Sequence, residues 1–153
     1  MKPKFRVWLP DPDVKKMLRV KSLVFEKDRT RCICGYAYDF YLENEDATLM
    51  QSTGLFDKNG KEIFEGDILK FNDEWADYCY EGYVDGTIEG INFVEVVASE
   101  ACFEFGKTKI PESSLFAIEE DEHFKFKDFI KSEDFEFEVI GNVYENSELL
   151  EVD

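Results

Sequence analysis

Histidine, proline and glycine are scarce in this 153-residue chain. The single histidine, His123, cannot complete a metal-binding triad, and no nucleophile at an identifiable spacing accompanies it for general-base chemistry. Four prolines and nine glycines are too few for a linker or a low-complexity sequence. Phosphate loops, dinucleotide-binding fingerprints and nucleophile elbows are also absent from the sequence. The sequence therefore predicts no catalytic residues, no cofactor and no enzymatic activity.

Long apolar runs are absent as well. No stretch approaches the roughly 20 apolar residues of a membrane span, and residues 1–4 are followed by only a short apolar patch instead of a signal peptide. We therefore expect a cytoplasmic protein with no membrane partner and with reduced thiols. The sequence contains no second cysteine pair to complete a zinc site, so we interpret the four cysteines as buried and free: Cys32, Cys34, Cys79 and Cys102.

Basic residues are few, because 18 Lys and Arg stand against 35 Asp and Glu, a net charge of −17. A protein that binds nucleic acid replaces the counterions of the phosphates with its own Lys and Arg side chains. The negative net charge therefore argues against direct binding of nucleic acid. A compact acidic protein can instead meet a basic partner or occupy the DNA-binding surface of another protein, although solubility alone also explains the charge.

The basic residues cluster at the start of the chain. Residues 1–31 hold ten Lys and Arg against four Asp and Glu, a net charge of +6, whereas residues 32–110 carry −12 and residues 111–153 carry −11. This basic arm can dock on acidic residues of its own chain or of a neighbouring copy. Alternatively, the basic arm binds nucleic acid, and the negative charge of the remaining residues opposes that binding.

Aromatic residues and alternating patterns are abundant. Fifteen Phe, seven Tyr and two Trp supply a core, and about ten short strands separated by turns predict a mainly β sandwich or barrel. The strands outside the central segment are predicted at Phe5–Trp8, Met17–Glu26, Arg31–Tyr41, Tyr78–Ile88, Ile91–Ala98, Ala101–Phe105, Leu115–Ile118 and Phe135–Tyr144.

One or two short helices are expected near the C-terminus. Phe126, Phe129 and Ile130 fit one face of a helix over Glu122–Lys131, although Phe124 and Phe126 also fit a strand. Asn146 can cap a last helical turn that runs through Leu150.

The central segment Leu49–Phe71 reads as a β-meander with two corners. Asn59 and Gly60 tolerate the positive φ angles of a tight hairpin, and Gly66 and Asp67 form the second corner, in which the carboxylate accepts backbone N–H groups. We interpret these four residues as structural turn residues and not as a catalytic site.

Two geometries are open for the first corner. A three-residue loop, Lys58–Gly60 with a left-handed glycine, pairs Asp57 with Lys61. A two-residue turn pairs Leu55 with Phe64 instead.

An acidic and aromatic segment follows the meander. We predict a loop over Asn72–Asp77 that presents aromatic side chains beside carboxylates, and aromatic side chains anchor protein interfaces. We interpret the segment as a contact surface for a basic groove on a partner protein, formed by Trp75, Tyr78, Tyr80, Asp73, Glu74 and Asp77. The run Glu119–Glu122 lacks the alternation and glycine of a calcium loop and is interpreted as solvated.

Five segments, in combination, carry a family resemblance: Phe5–Trp8 with Met17, Leu49–Leu55, Asp57–Asp67, Glu138–Asn146 and Glu148–Leu150. With these residues the chain resembles the YopX family of small proteins encoded by phages and prophages. Two departures are Ser52, where the family usually has an aromatic residue, and Ser147, where proline is common.

The resemblance implies a fold but no activity. It implies a mainly β protein built from small SH3-like barrels, as a tandem pair that shares strands. Some family members associate, so the resemblance also allows a homo-oligomer. Residues 1–153 would form one compact unit or two sub-barrels, about 1–75 and 76–153.

We therefore expect a phage or prophage accessory protein that acts by protein–protein contact with a host or phage protein. The first alternative is an acidic DNA mimic that blocks a nucleic-acid-binding host protein. The second is a small nucleic-acid-binding barrel that uses the basic N-terminal arm and Trp8.

Overall fold

The computed structural model describes residues 3–35, 38–78, 81–100, 102–111 and 125–152. This part of the chain contains eleven strands and two short helices, which confirms the mainly β prediction. It divides into two compact units, Met1–Gly54 and Leu55–Asp153. The tandem pair of SH3-like barrels that share strands, with sub-barrels over about 1–75 and 76–153, stays a prediction. The predicted strand Leu115–Ile118 lies outside the described residues.

The first unit contains two antiparallel sheets. One has the order β2-β1-β6, and the other has the order β3-β4-β5. Val7 and Met50 are buried on β1 and β6, and Cys32 is buried on β4. The strands are β1 (Phe5–Leu9), β2 (Lys16–Arg19), β3 (Ser22–Phe25), β4 (Thr30–Gly35), β5 (Tyr38–Tyr41) and β6 (Thr48–Phe56).

The prediction of one strand over Met17–Glu26 is wrong, because the segment divides between the two sheets. The N–H of Val20 donates to Phe5 on β1, whereas the N–H of the next residue, Lys21, donates to Ile33 on β4. Successive backbone groups therefore bond to strands of different sheets, and the loose alternation at this position reflects that change.

The second unit is a four-stranded antiparallel sheet, in the order β10-β9-β8-β11, with a short helix and a final 3-10 helix. Its elements are β7 (Glu62–Phe64), β8 (Asp67–Tyr78), β9 (Val84–Ala98), β10 (Phe103–Thr108), α1 (Phe126–Lys131), β11 (Glu138–Asn142) and the 3-10 helix Ser147–Leu150. The core is apolar and rich in aromatic rings: Ile63, Leu69, Phe71, Val94, Val96, Phe105, Phe129, Ile130 and Phe137.

Strands β8 and β9 are much longer than predicted. The predicted loop over Asn72–Asp77 is wrong, since β8 continues to Tyr78, and β9 passes through Gly86 and Gly90 without a break. Acidic residues and glycines have low strand propensity, but cross-strand pairing overrides that preference. Gly106 likewise lies inside β10, at a register shift, and does not end the strand.

The first corner of the meander is the three-residue loop. Gly60 has a φ of +81°, and the N–H of Asp57 donates to the carbonyl of Lys61 at 2.8 Å. At the second corner, Gly66 has a φ of +85°, and the buried carboxylate of Asp67 accepts the N–H of Phe64 at 2.8 Å. Both glycines occupy backbone conformations that other residues adopt only with strain.

Asp57 joins the hairpin to the C-terminal strand. Its Oδ1 accepts the N–H groups of Asn59 and Lys61 at 2.9 and 2.8 Å, and its Oδ2 accepts the N–H of Val139 at 2.8 Å. The N–H of Lys58 donates to the carbonyl of Phe137 at 3.0 Å. One buried carboxylate therefore holds two segments that are 82 residues apart.

The C-terminal strand is shorter than the predicted Phe135–Tyr144. Glu136 has a φ of +49°, which interrupts regular pairing before β11 begins. Phe137 nevertheless stacks on Phe71 with 5.1 Å between ring centroids, so the segment still contributes to the core.

The helix predictions are partly confirmed. Helix α1 buries Phe129 and Ile130, while the predicted positions 122–124 lie outside the described residues. Asn146 precedes the 3-10 helix but forms no side-chain cap there, because its Oδ1 accepts the N–H of Asn142 at 3.2 Å.

Candidate functional site

A two-stranded ribbon extends from the sheet of the second unit. Strand β11 pairs with β8 only as far as Lys70, and β10 pairs with β9 only from Val94 onward. Strands β8 and β9 continue to pair with each other from Asp73 opposite Gly90 to Tyr78 opposite Val84. We call residues 73–90 the acidic ribbon; in the described structure no third strand pairs with it.

The acidic ribbon carries charge of one sign. Residues 71–106 contain no Lys, Arg or His, and the ribbon holds six carboxylates: Asp73, Glu74, Asp77, Glu81, Asp85 and Glu89. All of them except Asp73 are exposed. A surface of this kind attracts cationic groups and repels acidic ones.

Glu74 and Glu89 lie directly opposite each other. The N–H of Asn72 donates to Phe135, away from β9, so by strand alternation Glu74 and Glu89 form a pair without cross-strand hydrogen bonds. Such pairs bring the two Cα atoms to about 4.5 Å. Like charges at this separation repel, and a cation between them would relieve the repulsion.

Aromatic and aliphatic side chains accompany the carboxylates. The ring of Trp75 lies over Gly90, where an added Cβ would come within 2.6 Å of a ring carbon. Ile88 lies opposite Trp75 and is exposed. Near the turn, Tyr83 keeps 72% of its surface exposed. The ribbon therefore combines apolar anchors with carboxylates, a combination that suits protein contacts.

The base of the ribbon is fixed by buried polar groups. Asp73 is only 5% exposed, and its Oδ2 accepts the Nδ2 of Asn92 at 2.8 Å. Asn92 is fully buried, donates to the carbonyl of Ile110 at 3.0 Å and accepts the N–H of Ile110 at 2.8 Å. Asp73 thus anchors the base and is not the surface contact that its sequence position predicts.

The remaining predicted contact residues occupy different places. Glu74 and Asp77 are exposed on β8, and Trp75 is half-buried on the same strand. Tyr78 is the last residue of β8, and Tyr80 lies outside the described residues. Alternation along the strand places Glu74 and Trp75 on opposite faces, so these residues do not form one loop surface.

A shallow cleft of about 680 Å³ lies at the base of the acidic ribbon. Its lining combines acidic and apolar residues: Asn72, Asp73, Glu74, Glu89, Gly90, Ile91, Asp134 and Phe135. Glu89, Ile91 and Asp134 are not among the residues that the sequence predicts for a site. Only the register between β8 and β9 and the position of the segment before β11 bring these residues together, and no local pattern encodes either.

The cysteines of the first unit form a close pair of free thiols. Cys32 is buried and Cys34 half-buried, with 3.6 Å between their Sγ atoms. Burial raises the pKa of both thiols, that of Cys32 to about 12, because an apolar environment disfavours the thiolate. Cys102 is exposed, so the prediction that it is buried is wrong. Cys79 lies outside the described residues.

The structure offers no metal centre within its described ranges, where no three His, Cys, Asp or Glu side chains converge. His123 and Glu119–Glu122 lie outside these ranges. Of the helices in the described part of the chain, none has the length and hydrophobicity that crossing a bilayer requires.

Some cations of the basic arm are already engaged within the first unit. The Nε of Arg31 donates to Asp39 at 2.7 Å, and this pair lowers the pKa of the carboxyl group. The guanidinium of Arg29 lies 3.7 Å from the ring centroid of Tyr41. Trp8 is half-buried in β1. These contacts leave fewer free cations for phosphate groups than the residue count suggests.

Comparison with known proteins identifies the family and a similar fold. No curated protein matches the chain. The structure is similar to the crystal structure of protein EF1440 from Enterococcus faecalis, with 28% sequence identity, 99% coverage of both chains and a TM-score of 0.58. The description of the family that matches residues 4–151 is YopX protein. Since the match spans nearly the whole sequence, the chain belongs to the YopX family.

Proposed function

We propose that this protein is a non-enzymatic interaction module that docks a basic surface of another protein through its acidic ribbon. One observation carries the proposal: a paired two-stranded element beyond the rest of the sheet has six carboxylates and no cation. Exposed carboxylates lower the stability of an isolated ribbon through self-repulsion. A cationic partner removes that cost on binding.

The two kinds of side chain on the ribbon have separate roles in this proposal. The carboxylates steer the partner and set its orientation, an effect that weakens as salt is added. Trp75, Ile88 and Tyr83 supply apolar area at the contact, and such residues provide most of the affinity of an interface. Binding should therefore be fast and salt-sensitive.

The acidic DNA mimic is a special case of the same chemistry, in which the basic surface is a nucleic-acid-binding groove. It requires carboxylates in ordered rows on one face. Strand alternation places Glu74 and Glu89 on one face of the ribbon and Asp77 on the other. A general basic protein surface accommodates this distribution better than a groove that reads one row of phosphates.

The biological setting is also a proposal. Phage or prophage origin and a pair of SH3-like barrels follow from the family resemblance, whereas action in the cytoplasm of the host cell is proposed because the sequence has no long apolar run. Association into homo-oligomers follows from the same resemblance.

Two variants with equal loss of charge test the proposal. Both have four carboxylates replaced by amides, one on the acidic ribbon and one elsewhere on exposed positions of the second unit. The ribbon variant is D77N/E81Q/D85N/E89Q, and the control variant is E100Q/E133Q/E148Q/E151Q. The two variants and the wild-type protein each serve as bait in host lysate at low and at high salt. Quantitative mass spectrometry then identifies the captured proteins.

The proposal predicts that wild type and the control variant capture basic proteins from the lysate and that the ribbon variant does not. High salt should release the captured proteins. Equal capture by wild type and the ribbon variant would overturn it. So would a purified protein that captures nothing and turns over a substrate.

A further inference from the structure

The outer edge of β9 presents backbone groups that no described strand uses. In an antiparallel pair, alternate residues direct their N–H and C=O groups away from the partner strand. The carbonyl of Phe93 accepts the N–H of Lys109 at 2.9 Å, so the backbone N–H and C=O groups of Phe93 point away from β8. By alternation the backbone groups of Thr87, Glu89 and Ile91 also point away from β8. Among the described residues, no group forms a hydrogen bond with the backbone of these three residues on that side.

The outer edge of β8 differs, because the first two of its outward N–H groups are already used. The N–H of Asn72 donates to the carbonyl of Phe135 at 2.8 Å. The next outward N–H, that of Glu74, donates to the Oδ1 of Asp73 at 2.8 Å. The two edges of the ribbon are therefore unequal: on β8 the first outward N–H without a bond to a described residue is that of Ala76, whereas β9 offers three consecutive outward positions to an added strand.

The open edge also lacks the usual protection. Exposed edges are commonly guarded by lysine, proline or a bulge. The segment Thr87–Ile91 contains neither lysine nor proline and keeps regular pairing with β8. Negative charge is what protects this edge against pairing with another strand, and it comes from Glu89 on the edge strand and Glu74 directly opposite.

That charge selects the occupant of the edge. Two copies of this chain that met edge to edge would bring like carboxylates together, which disfavours pairing. A strand with lysine or arginine at alternate positions would instead place its cations beside the carboxylates while its backbone bonds to the edge. Charge complementarity therefore favours a basic segment over a second copy.

We propose that the β9 edge at Thr87–Ile91 binds an extended, cationic segment of a partner protein as an added antiparallel or parallel strand. The inference rests on the proposed function, because it names how the acidic ribbon holds its basic partner. Main-chain hydrogen bonds supply the contact, and the carboxylates select lysine and arginine at alternate positions.

The test uses a fluorescent eight-residue peptide of alternating Lys and Val, and its analogue with N-methyl groups on the alternate residues that face the edge. The analogue keeps every charge but cannot donate the bonds. Binding is measured by fluorescence anisotropy on the full chain. We expect the analogue to bind at least about tenfold more weakly, the effect of losing one or two net hydrogen bonds.

Two proline variants give a matched pair. Thr87→Pro removes an outward N–H from the β9 edge, and Ala76→Pro removes the corresponding outward N–H from β8, directly opposite. Neither change removes a bond between the two strands, and proline is tolerated at such positions. Thr87→Pro should weaken peptide binding about tenfold, whereas Ala76→Pro should leave it within about twofold.

Amide exchange reports on the same edge in wild type. The N–H groups of Thr87 and Glu89 should exchange rapidly in the free protein and become protected when the Lys–Val peptide binds. Protection in the free protein would overturn the inference, since the edge would already be occupied. Equal binding of the peptide and its N-methyl analogue would overturn it too, and this readout remains valid if a proline variant fails to fold.

The outcomes separate this inference from the proposed function. If D77N/E81Q/D85N/E89Q loses its protein partners while Thr87→Pro keeps both partners and peptide, docking by charge stands and strand addition fails. If the ribbon variant keeps its partners, the proposed function fails.

Discussion

Replacing Asp57 with alanine should destabilise the second unit more than any exposed carboxylate substitution. The carboxylate is 8% exposed and accepts three backbone N–H groups, two in the hairpin loop and one from Val139 on β11. Deletion breaks the loop and also releases the C-terminal strand from the meander.

The three bonds do not contribute equally. Asn59 and Lys61 are exposed, so water can replace the carboxylate at their amides, whereas Val139 is half-buried. A hydrogen bond to a charged group contributes about 1.5–3 kcal/mol, and solvated amides recover part of that. We expect Asp57→Ala to lower the free energy of unfolding by about 3 kcal/mol, with most of the loss from the Val139 amide.

Asp57→Asn should cost less, about 2 kcal/mol, because one acceptor oxygen remains while the new NH₂ group faces an N–H. Urea unfolding followed by the fluorescence of Trp75 reports on the second unit when Trp8 is replaced by phenylalanine in every variant. Asp77→Ala is the control, an exposed carboxylate expected to change stability by no more than about 0.5 kcal/mol. A loss below about 1 kcal/mol for Asp57→Ala would refute the reasoning.

Three further predictions concern other parts of the chain. Gly90→Ala should displace the ring of Trp75, because the new Cβ would come within 2.6 Å of it, and the emission of Trp75 should shift to the red. In native protein an alkylating reagent should modify half-buried Cys34 before buried Cys32, as peptide mass spectrometry can show, and the reverse order would contradict the packing. Glu43 accepts a backbone N–H of β4, which lowers the pKa of its carboxyl group. The Tm of Glu43→Gln should therefore lie below that of wild type above about pH 4.3, the usual glutamate pKa, and the two Tm values should converge as pH falls through the lowered pKa.

The corners of the meander could be predicted because their cause is local. Gly60 and Gly66 have positive φ, and Asp67 bonds to a residue three positions away, so each requirement is visible within a few residues of sequence. The alternative two-residue turn failed because the side chain of Asp57 favours the longer loop by accepting two of its amides.

The acidic ribbon could be predicted in composition but not in form. Acidic residues and glycines are mixed with aromatic residues there, a pattern typical of loops, and only the pairing between the successive strands β8 and β9 makes the segment regular. The burial of Asp73 depends on Asn92, which is 19 residues away. Trp75 packs over a glycine on the opposite strand. Nothing near either residue in sequence indicates these contacts.

The cysteines show a similar limit. Strand alternation correctly placed Cys32 and Cys34 on one face. The burial of Cys102 was inferred from the residue type alone, and the residue lies exposed just before β10. Residue type gives an average preference, whereas the end of a strand determines the exposure of a particular side chain.

Zero-length cross-linking of carboxylates to partner amines tests the central proposal most directly. Wild-type protein is cross-linked in host lysate, and the modified carboxylates are mapped by peptide mass spectrometry. The proposal predicts cross-links concentrated at Asp77, Glu81, Asp85 and Glu89, and their loss at high salt. Cross-links spread evenly over all exposed carboxylates, or concentrated between residues 133 and 151, would contradict it.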